Sequence, residues 1–282
     1  MIINILNTKL ILQNLAKETG LPINHLRVLL ALERAVIRLE HHTTLSKHLI
    51  FKGGFALLKE IGTSRYTKDV DALASDINKE IIAKHIKEAL SHDLEDGFWF
   101  GDVIERELTI DGNYGGLRFD CAFYIGAPMN DKIKVKKLSR FQLDIGFGDV
   151  VPKLLKQKMP TWVPTSEPIS WFVYPLEYML SEKLETLCRR GSANSRAKDI
   201  FDLIELFPRC RDKKALLKAI QMTFRNRQTE IPKSFYDFFN ELHPDVLRAA
   251  WDSILAPKKI FFDGAWSDLS RHLQILDADR DT

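Results

Sequence analysis

The sequence contains little cysteine and carries little net charge. Its 282 residues include three cysteines, and 41 Lys and Arg residues are nearly balanced by 38 Asp and Glu, which leaves a formal net charge of +3. The cysteines show no metal-ligand spacing, and their odd, sparse count argues against a disulfide framework and favours buried thiols in a reducing cytosol. A charge of +3 is too small to predict a nucleic-acid partner by itself.

Long apolar runs and the standard catalytic motifs are missing as well. No segment approaches the roughly 18 consecutive apolar residues of a membrane span. The apolar N-terminus is interrupted by Asn4, Asn7 and Lys9 and lacks a cleavage-like site, so we expect a soluble, cytoplasmic protein. Zinc-site histidine spacing, a nucleophile elbow, a Walker motif and a dinucleotide-binding glycine triplet are all absent. The chemistry that remains is that of carboxylates and metal ions.

The residue pattern predicts an α+β protein with two regions. Residues 1–150 begin with helices. Strands are then predicted at 48–52 and 69–74, each followed by a helix, at 55–61 and 78–90. Three further strands are predicted at 98–110, 117–125 and 140–147. This order predicts a catalytic α/β domain with a mixed sheet flanked by helices. Prolines punctuate a linker after residue 150, with one short strand at 171–173. Most of the remaining sequence to residue 282 has helical periodicity, which predicts a helical second domain from 151 to 282.

Two glycines stand between a predicted strand and a predicted helix. Gly53 and Gly54 allow a close backbone approach and leave the first helical N–H groups facing outward. A helix N-terminus favours anions, and phosphate is a common one. Taken alone, a Gly-Gly pair is more often only a turn.

The next strand begins with two carboxylates. Strand alternation places Asp69 and Asp71 on one face and Val70 on the other, towards the core. Adjacent carboxylates repel one another, and Mg²⁺ is typically bound by one or two carboxylates together with substrate phosphates. Two such ions about 4 Å apart stabilise the attacking and leaving oxygens of a displacement at phosphorus. The order of glycine turn, helix and Asp-x-Asp strand therefore predicts a phosphate site beside a metal site.

Several segments in this order resemble motifs of the AbiEii/AbiGii toxin family in the nucleotidyltransferase superfamily. Residues 52–57 (KGGFAL) and 65–71 (RYTKDVD) resemble its first motifs, and residues 141–149 (FQLDIGFGD) resemble a strand with a further carboxylate. Residues 181–184 (SEKL) and 195–202 (SRAKDIFD) resemble its helical lysine motif and its closing Arg-x-Lys-Asp signature. The chain departs from the superfamily at Phe55, where many members carry a serine whose hydroxyl can contact phosphate.

The resemblance implies roles for particular residues. Asp69, Asp71 and Asp144 would hold Mg²⁺, with Asp144 supporting a second ion or accepting the proton of the attacking hydroxyl. Lys183 would contact the triphosphate, and Asp199 would approach the cleft. The implied nucleotide-binding residues are Lys52, Gly53, Gly54, Arg65, Lys183 and Arg196.

Two of these assignments have competitors within the sequence. Asp120 lies on a strand whose alternate residues are apolar, in a position comparable to that of Asp144, and we favour Asp144 mainly on the resemblance. Arg196 and Asp199 are three residues apart on a predicted helix that continues to Asp202, so a purely structural ion-pair ladder explains them equally well.

The predicted function is a Mg²⁺-dependent nucleotidyltransferase that moves a nucleoside monophosphate from an NTP to an acceptor hydroxyl and releases pyrophosphate. The resemblance implies a toxin of a toxin–antitoxin or abortive-infection system with a cognate antitoxin, acting on RNA at the tRNA acceptor end. A basic stretch between Lys132 and Lys158 suits an RNA backbone, and a solvated lysine face is the commoner explanation of such a run. Two alternatives stay open: transfer to a small sugar or antibiotic hydroxyl, and a nucleotide- or partner-binding module without turnover, for which the absent serine at position 55 is the main support.

Overall fold

The computed structural model describes residues 5–63, 65–109, 115–126, 132–162, 165, 167–256 and 260–280. The chain divides into two compact units. The first comprises Met1–Gly62 and Tyr66–Val173, and the second comprises Thr63–Arg65 and Tyr174–Thr282. Within the described residues, no helix combines the length and the apolar character that crossing a membrane requires.

The first unit contains both helices and strands. Its helices are α1 (Ile5–Thr19), α2 (Ile23–His41), α3 (Leu45–His48), α4 (Gly53–Ile61), α5 (Lys79–Ser91) and α6 (Lys132–Val135). Its strands are β1 (Leu49–Lys52), β2 (Asp69–Ala74), β3 (Phe98–Thr109), β4 (Gly115–Ile125), β5 (Arg140–Phe147), β6 (Gln157–Lys158) and β7 (Ser170–Val173).

These strands form one mixed sheet in the order β3-β4-β5-β2-β1-β7-β6 across the described residues. β2 pairs parallel with β5, and β1 pairs parallel with β7, while the other neighbours are antiparallel. The predicted mixed sheet with flanking helices is therefore confirmed. β2 lies between β5 and β1, so the predicted Asp-x-Asp strand occupies the middle of the sheet.

Strand alternation separates an apolar face from a polar face in the middle of the sheet. Val70 and Ala72 on β2, Leu143 and Ile145 on β5, and Phe119 on β4 are all buried. The residues between them on the same strands are partly exposed, and several are charged. Because successive side chains of a strand point to opposite faces, burial of the apolar set directs the charged set to one common face.

The turn from β1 into α4 requires a glycine. Gly53 has a φ of +73°, in the left-handed region that favours glycine. A Cβ atom at this position would lie 2.0 Å from Oδ2 of Asp71, far inside any van der Waals contact. The backbone of Gly53 therefore lies directly against the Asp71 carboxylate, and no larger residue fits this position without displacing it.

Ion pairs buried inside the first unit connect its helices to the sheet and to the segment around β6. Lys59 of α4 pairs with Glu33 of α2, and its ammonium lies 3.2 Å from the ring centroid of Trp162. Arg38 of α2 donates to both oxygens of Asp96, at 2.8 and 2.9 Å. A buried charge is tolerated only when it is paired and hydrogen-bonded, so these contacts fix α2 in place.

Glu40 at the end of α2 is a further buried acid. One of its oxygens lies 2.7 Å from Nζ of Lys156, next to β6. Its other oxygen, Oε1, is buried without a hydrogen-bond partner in the described structure. Burial raises the pKa of Glu40 to about 7, and Lys156 offsets only part of this effect.

The second unit is helical. It contains α7 (Leu176–Arg190), a 3-10 turn (Gly191–Ala193), α8 (Ala197–Leu206), α9 (Lys213–Asn226), α10 (Phe235–Asn240), α11 (Asp245–Trp251) and α12 (Phe262–Arg280). Glu185 of α7 is fully buried and accepts hydrogen bonds from Arg189, Arg227 and Thr229. This network connects α7 with the C-terminal end of α9.

The structure departs from the sequence-based predictions in a few places. The first unit continues to Val173, beyond the predicted boundary at residue 150, because β6 and β7 complete the sheet. The short elements α3, α6 and β6 were not predicted.

Cys121 and Cys210 are buried free thiols whose pKa values burial raises to about 12.

The raised pKa of Glu40 predicts a pH-dependent stability. A carboxyl group whose pKa is higher in the folded than in the unfolded protein stabilises the fold at low pH and loses that contribution as the pH rises through 7. Relative to Glu40→Gln, the free energy of unfolding of the wild-type protein should fall by roughly 2 kcal/mol between about pH 5 and pH 8. Urea denaturation of both proteins at the two pH values measures this; parallel pH profiles would contradict it.

The close approach of Gly53 predicts a large cost for adding one methyl group. Gly62 ends the same helix at a φ of +63°, and nothing lies within 4 Å of a Cβ built there, so Gly62→Ala reports the backbone strain alone. Gly53→Ala should lower the free energy of unfolding by about 1–3 kcal/mol more than this control does, because the added atom must displace Asp71. The denaturation midpoints of the two variants give the comparison; equal losses would show that Asp71 does not constrain the turn.

Candidate active site

One row of charged residues crosses the polar face of the sheet. Lys52 of β1 is paired in register with Asp71 of β2, Asp71 with Asp144 of β5, Asp144 with Arg118 of β4, and Arg118 with Arg106 of β3. Residues paired across neighbouring strands share a face and lie about 5 Å apart. The row therefore places two carboxylates side by side, with cationic residues on both flanks.

A second row lies two residues away on the same face. Asp69 is paired in register with Gln142, and Gln142 with Asp120. The hydroxyl of the buried Thr67 donates a hydrogen bond to Oδ1 of Asp69. Asp69, Asp71 and Asp144 thus occupy adjacent corners of one patch, as the sequence predicts for three residues that share a site.

Asp144 is held by an arginine that the sequence analysis did not identify. Nε and Nη2 of Arg118 donate to the two oxygens of Asp144, at 2.8 and 2.6 Å. Asp144 raises the pKa of Arg118 above its ordinary value, and the charges of Asp69 and Asp71 act in the same direction. Arg118 therefore lies in the field of all three carboxylates. Its position two residues before Asp120 on an alternating strand was the available signal.

Asp120, the competitor of Asp144, has a different environment. It accepts a hydrogen bond from Nε of Arg140, and Nη1 of the same guanidinium donates to Asp102 at 2.8 Å. In register, Asp120 is separated from Asp69 by Gln142, whereas Asp144 is the direct neighbour of Asp71. In register, Asp144 and not Asp120 is therefore the carboxylate next to the Asp-x-Asp pair.

The glycine turn lies on the β1 side of the carboxylates. Its helix, α4, begins at Gly53, and the first backbone N–H groups of a helix have no intrahelical partner. Lys52, predicted to bind nucleotide, lies 2.7 Å from Oδ2 of Asp149. The side chain of Phe55 is fully buried, with its ring edge-on to Trp162 and Trp171, so position 55 contributes to the core here.

The donor set of this patch fits a hard divalent cation. It offers carboxylate oxygens from Asp69, Asp71 and Asp144, which all remain partly accessible. Oxygen ligands of this kind suit Mg²⁺, and the Gly53 backbone lies directly against the Asp71 carboxylate. The residues present are therefore compatible with the predicted metal chemistry.

The remaining predicted residues form an ion network inside the second unit. Nζ of Lys183 lies 3.0 Å from Asp199 and 2.7 Å from Asp202. Arg65 donates to both oxygens of Asp202, and Nε of Arg196 lies 2.6 Å from Asp199. Burial alone would raise the pKa of Asp202, but Arg65 and Lys183 outweigh it and lower the pKa to about 2. The structural ladder considered for Arg196, Asp199 and Asp202 is thus present, with Lys183 and Arg65 as additional members.

A histidine-containing group elsewhere in the first unit resembles a metal site but has a different explanation. His42, His85 and Glu88 place one potential ligand atom each within 4.8 Å of one another. Nδ1 of His42 accepts hydrogen bonds from the backbone N–H groups of Thr44 and Leu45, so Nε2 carries the proton in the neutral ring. Nε2 of His42 lies 3.7 Å from Oε2 of Glu88, and Nδ1 of His85 lies 2.9 Å from the same oxygen, so contacts of the two rings with Glu88 account for the group.

Comparisons with known proteins identify the fold. The structure is similar to that of MenT4, a nucleotidyltransferase toxin from Mycobacterium tuberculosis H37Rv, with a TM-score of 0.59, 17% identity, and coverage of 96% of this chain and 91% of that one. It is also similar to the crystal structure of a candidate nucleotidyltransferase from H. pylori, with a TM-score of 0.52, 15% identity, and coverage of 92% and 96%. These likenesses show the fold. Among curated proteins, none matches this sequence.

A family model supplies the assignment that structural likeness cannot. The model described as nucleotidyl transferase AbiEii toxin, type IV TA system, matches residues 37–266. This range includes the glycine turn, the Asp-x-Asp strand, Asp144 and the lysine helix. The chain belongs to the AbiEii family and is a nucleotidyltransferase toxin of the type IV toxin–antitoxin class.

Proposed function

We propose that this toxin uses Mg²⁺ to transfer a nucleoside monophosphate from an NTP to a hydroxyl of RNA, at the tRNA acceptor end, and that a cognate antitoxin controls it. The observation that carries the proposal is the convergence of Asp69, Asp71 and Asp144 on one face beside the Gly53 turn. The metal and the acceptor go beyond the family assignment and are inferred from the chemistry of this patch and from the family resemblance.

Bound Mg²⁺ would stabilise the charge that develops on the phosphoryl oxygens during an in-line displacement. Asp69, Asp71 and Asp144 would hold it, with the Asp69 carboxylate oriented by Thr67 and the Asp144 carboxylate oriented by Arg118. The protein then contributes mainly by positioning, as in phosphoryl transfer generally. Side chains that are oriented in advance need not reorganise during the reaction, and this preorganisation lowers the activation barrier.

The N-terminus of α4 is the proposed site for the phosphates of the NTP. The backbone N–H groups of Gly53, Gly54 and Phe55 belong to its first turn, where hydrogen bonds within the helix are missing. This end of a helix also carries a partial positive charge. Backbone donors of this kind replace the serine hydroxyl that many superfamily members carry at position 55.

In the second unit, we propose Lys183 and Asp199 as functional residues, and Arg65 and Arg196 as contributors to nucleotide binding, on the family motifs that contain them. The ion network described above holds the Lys183 ammonium between Asp199 and Asp202. A lysine fixed in this way is a compact positive charge suited to phosphate oxygens. The same contacts give it a structural role, so its test has to separate the two.

The carboxylate patch predicts a clear order of activity losses. Asp69→Asn and Asp71→Asn should lower kcat by at least about 1000-fold, because each removes a charge that holds the cation. Asp144→Asn should lower kcat strongly, whereas Asp120→Asn, the matched control on the same face, should retain most activity. Incubation with labelled NTPs, Mg²⁺ and purified tRNA measures transfer; unchanged turnover in Asp144→Asn would remove that residue from the site.

Removal of the Lys183 charge should have two separable effects. Lys183→Ala should lower the free energy of unfolding by roughly 3–5 kcal/mol, because it breaks a buried ion network. At a temperature where the variant stays folded, it should also raise the KM for the NTP. Lys218→Ala, at an exposed lysine on α9 outside the family motifs, is the matched control. A loss of stability with an unaltered KM would leave Lys183 with only its structural role.

A further inference from the structure

Two arginines lie next to each other at the β3–β4 end of the charged row. Arg106 of β3 and Arg118 of β4 are register partners on the same face. They lie on the side of Asp144 that is farther from β1. Like charges directly opposite one another on neighbouring strands destabilise a sheet. An anion bound by the two guanidinium groups would offset this repulsion.

The structure does not neutralise this pair completely. Arg106 is exposed and makes no hydrogen bond or ion pair with another described residue. Arg118 uses Nε and Nη2 on Asp144, and the described structure shows no partner for its Nη1. About a third of the Arg118 side chain is exposed. Donors of both guanidinium groups are therefore available for an anion, and a guanidinium suits the geometry of phosphate oxygens.

The position of the pair in the sheet indicates which anion it meets. The Gly53 turn lies on the β1 side of Asp71, and the arginines lie on the opposite side, across β5. In an in-line displacement, the attacking and leaving oxygens are on opposite sides of the transferred phosphorus. If the triphosphate binds at the turn, pyrophosphate leaves towards β1 and the attacking hydroxyl comes from the side of β4 and β3. Arg106 and Arg118 therefore lie on the acceptor side.

We propose that Arg106 and Arg118 form a phosphate-binding pair for the acceptor, which contacts phosphodiester groups of the nucleic acid that carries the attacking hydroxyl. This inference rests on the proposed function, because the direction of attack depends on the triphosphate lying at the Gly53 turn. It names where the acceptor binds and favours a polyanionic acceptor over a neutral sugar or antibiotic, which has no phosphate for the two cations.

Arg106 is the sharper site for a test, because its substitution removes no contact that the described structure shows. Arg106→Ala and Arg106→Glu are compared with Arg271→Ala, which removes an exposed arginine of α12 that pairs only with the exposed Asp268 in the described structure. Arg118→Lys keeps the charge of Arg118 but loses the paired donors. Binding of purified tRNA is measured in EDTA at several salt concentrations, so that no turnover interferes, and KM values for NTP and for tRNA are measured with Mg²⁺.

In Arg106→Ala, tRNA binding should be weakened roughly 3- to 10-fold. The slope of log binding constant against log salt concentration should become shallower by about 0.7–0.9. Arg106→Glu should weaken binding further, and Arg118→Lys should raise the KM for tRNA. The KM for NTP should stay at the wild-type value in Arg106→Ala, and Arg271→Ala should match the wild type throughout.

Two outcomes would overturn the inference. A salt slope and a tRNA affinity in Arg106→Ala equal to those of Arg271→Ala would show that no phosphate is bound there. A raised KM for NTP with unaltered tRNA binding would assign the pair to the triphosphate. Failure of the proposed function has a different signature: the wild-type protein would transfer no nucleotide, while tRNA binding in EDTA would still respond to Arg106.

Discussion

Three carboxylates on one face of a sheet repel one another, and this repulsion is the constraint on which the site depends. Asp69 and Asp71 share their face because Val70 is buried between them, and Asp144 joins them because β5 runs parallel to β2 in register. The cost of this arrangement is lowered by neighbours of opposite charge or by hydrogen-bond donors. Thr67 donates to Asp69, and Arg118 holds Asp144. A bound divalent cation would complete this compensation, which is why the patch is chemically useful.

In the proposed reaction, the charged row would order the events along one axis. From β1 to β3, the face presents a glycine turn, two carboxylates and two arginines. Nucleotide, reacting phosphorus and acceptor would then occupy successive positions across neighbouring strands. Strand spacing of about 5 Å would set the distances between them, so the sheet would act as the template for the proposed in-line displacement.

Each unit supports its functional motif with buried charges. In the first unit, the Glu33–Lys59 pair and the contacts of Asp96 with Arg34 and Arg38 hold α2 and α4, and α4 carries the glycine turn. In the second, Lys183 lies in a network with the acids of α8. Such networks cost desolvation energy, which pairing of the opposite charges offsets. These pairs restrict the local movement of the motifs.

Much of the site could be predicted from sequence because its residues are local. Gly53-Gly54 and Asp69-Val70-Asp71 lie within 19 positions of one another, and period-2 alternation alone assigns both carboxylates to one face. The family motifs then added Asp144. The match of residues 37–266 to the AbiEii family confirms that resemblance.

The sequence by itself determined the types of the longer elements, the shared face of Asp69 and Asp71, and the family, since these depend on short-range periodicity and on motif order. Only the tertiary structure decided that Arg118 is the partner of Asp144, that Phe55 is a core residue, and that β6 and β7 extend the first unit to Val173. These depend on which strands become neighbours and in which register. Strand order and register are set by the packing of the whole sheet, and short-range patterns do not encode them.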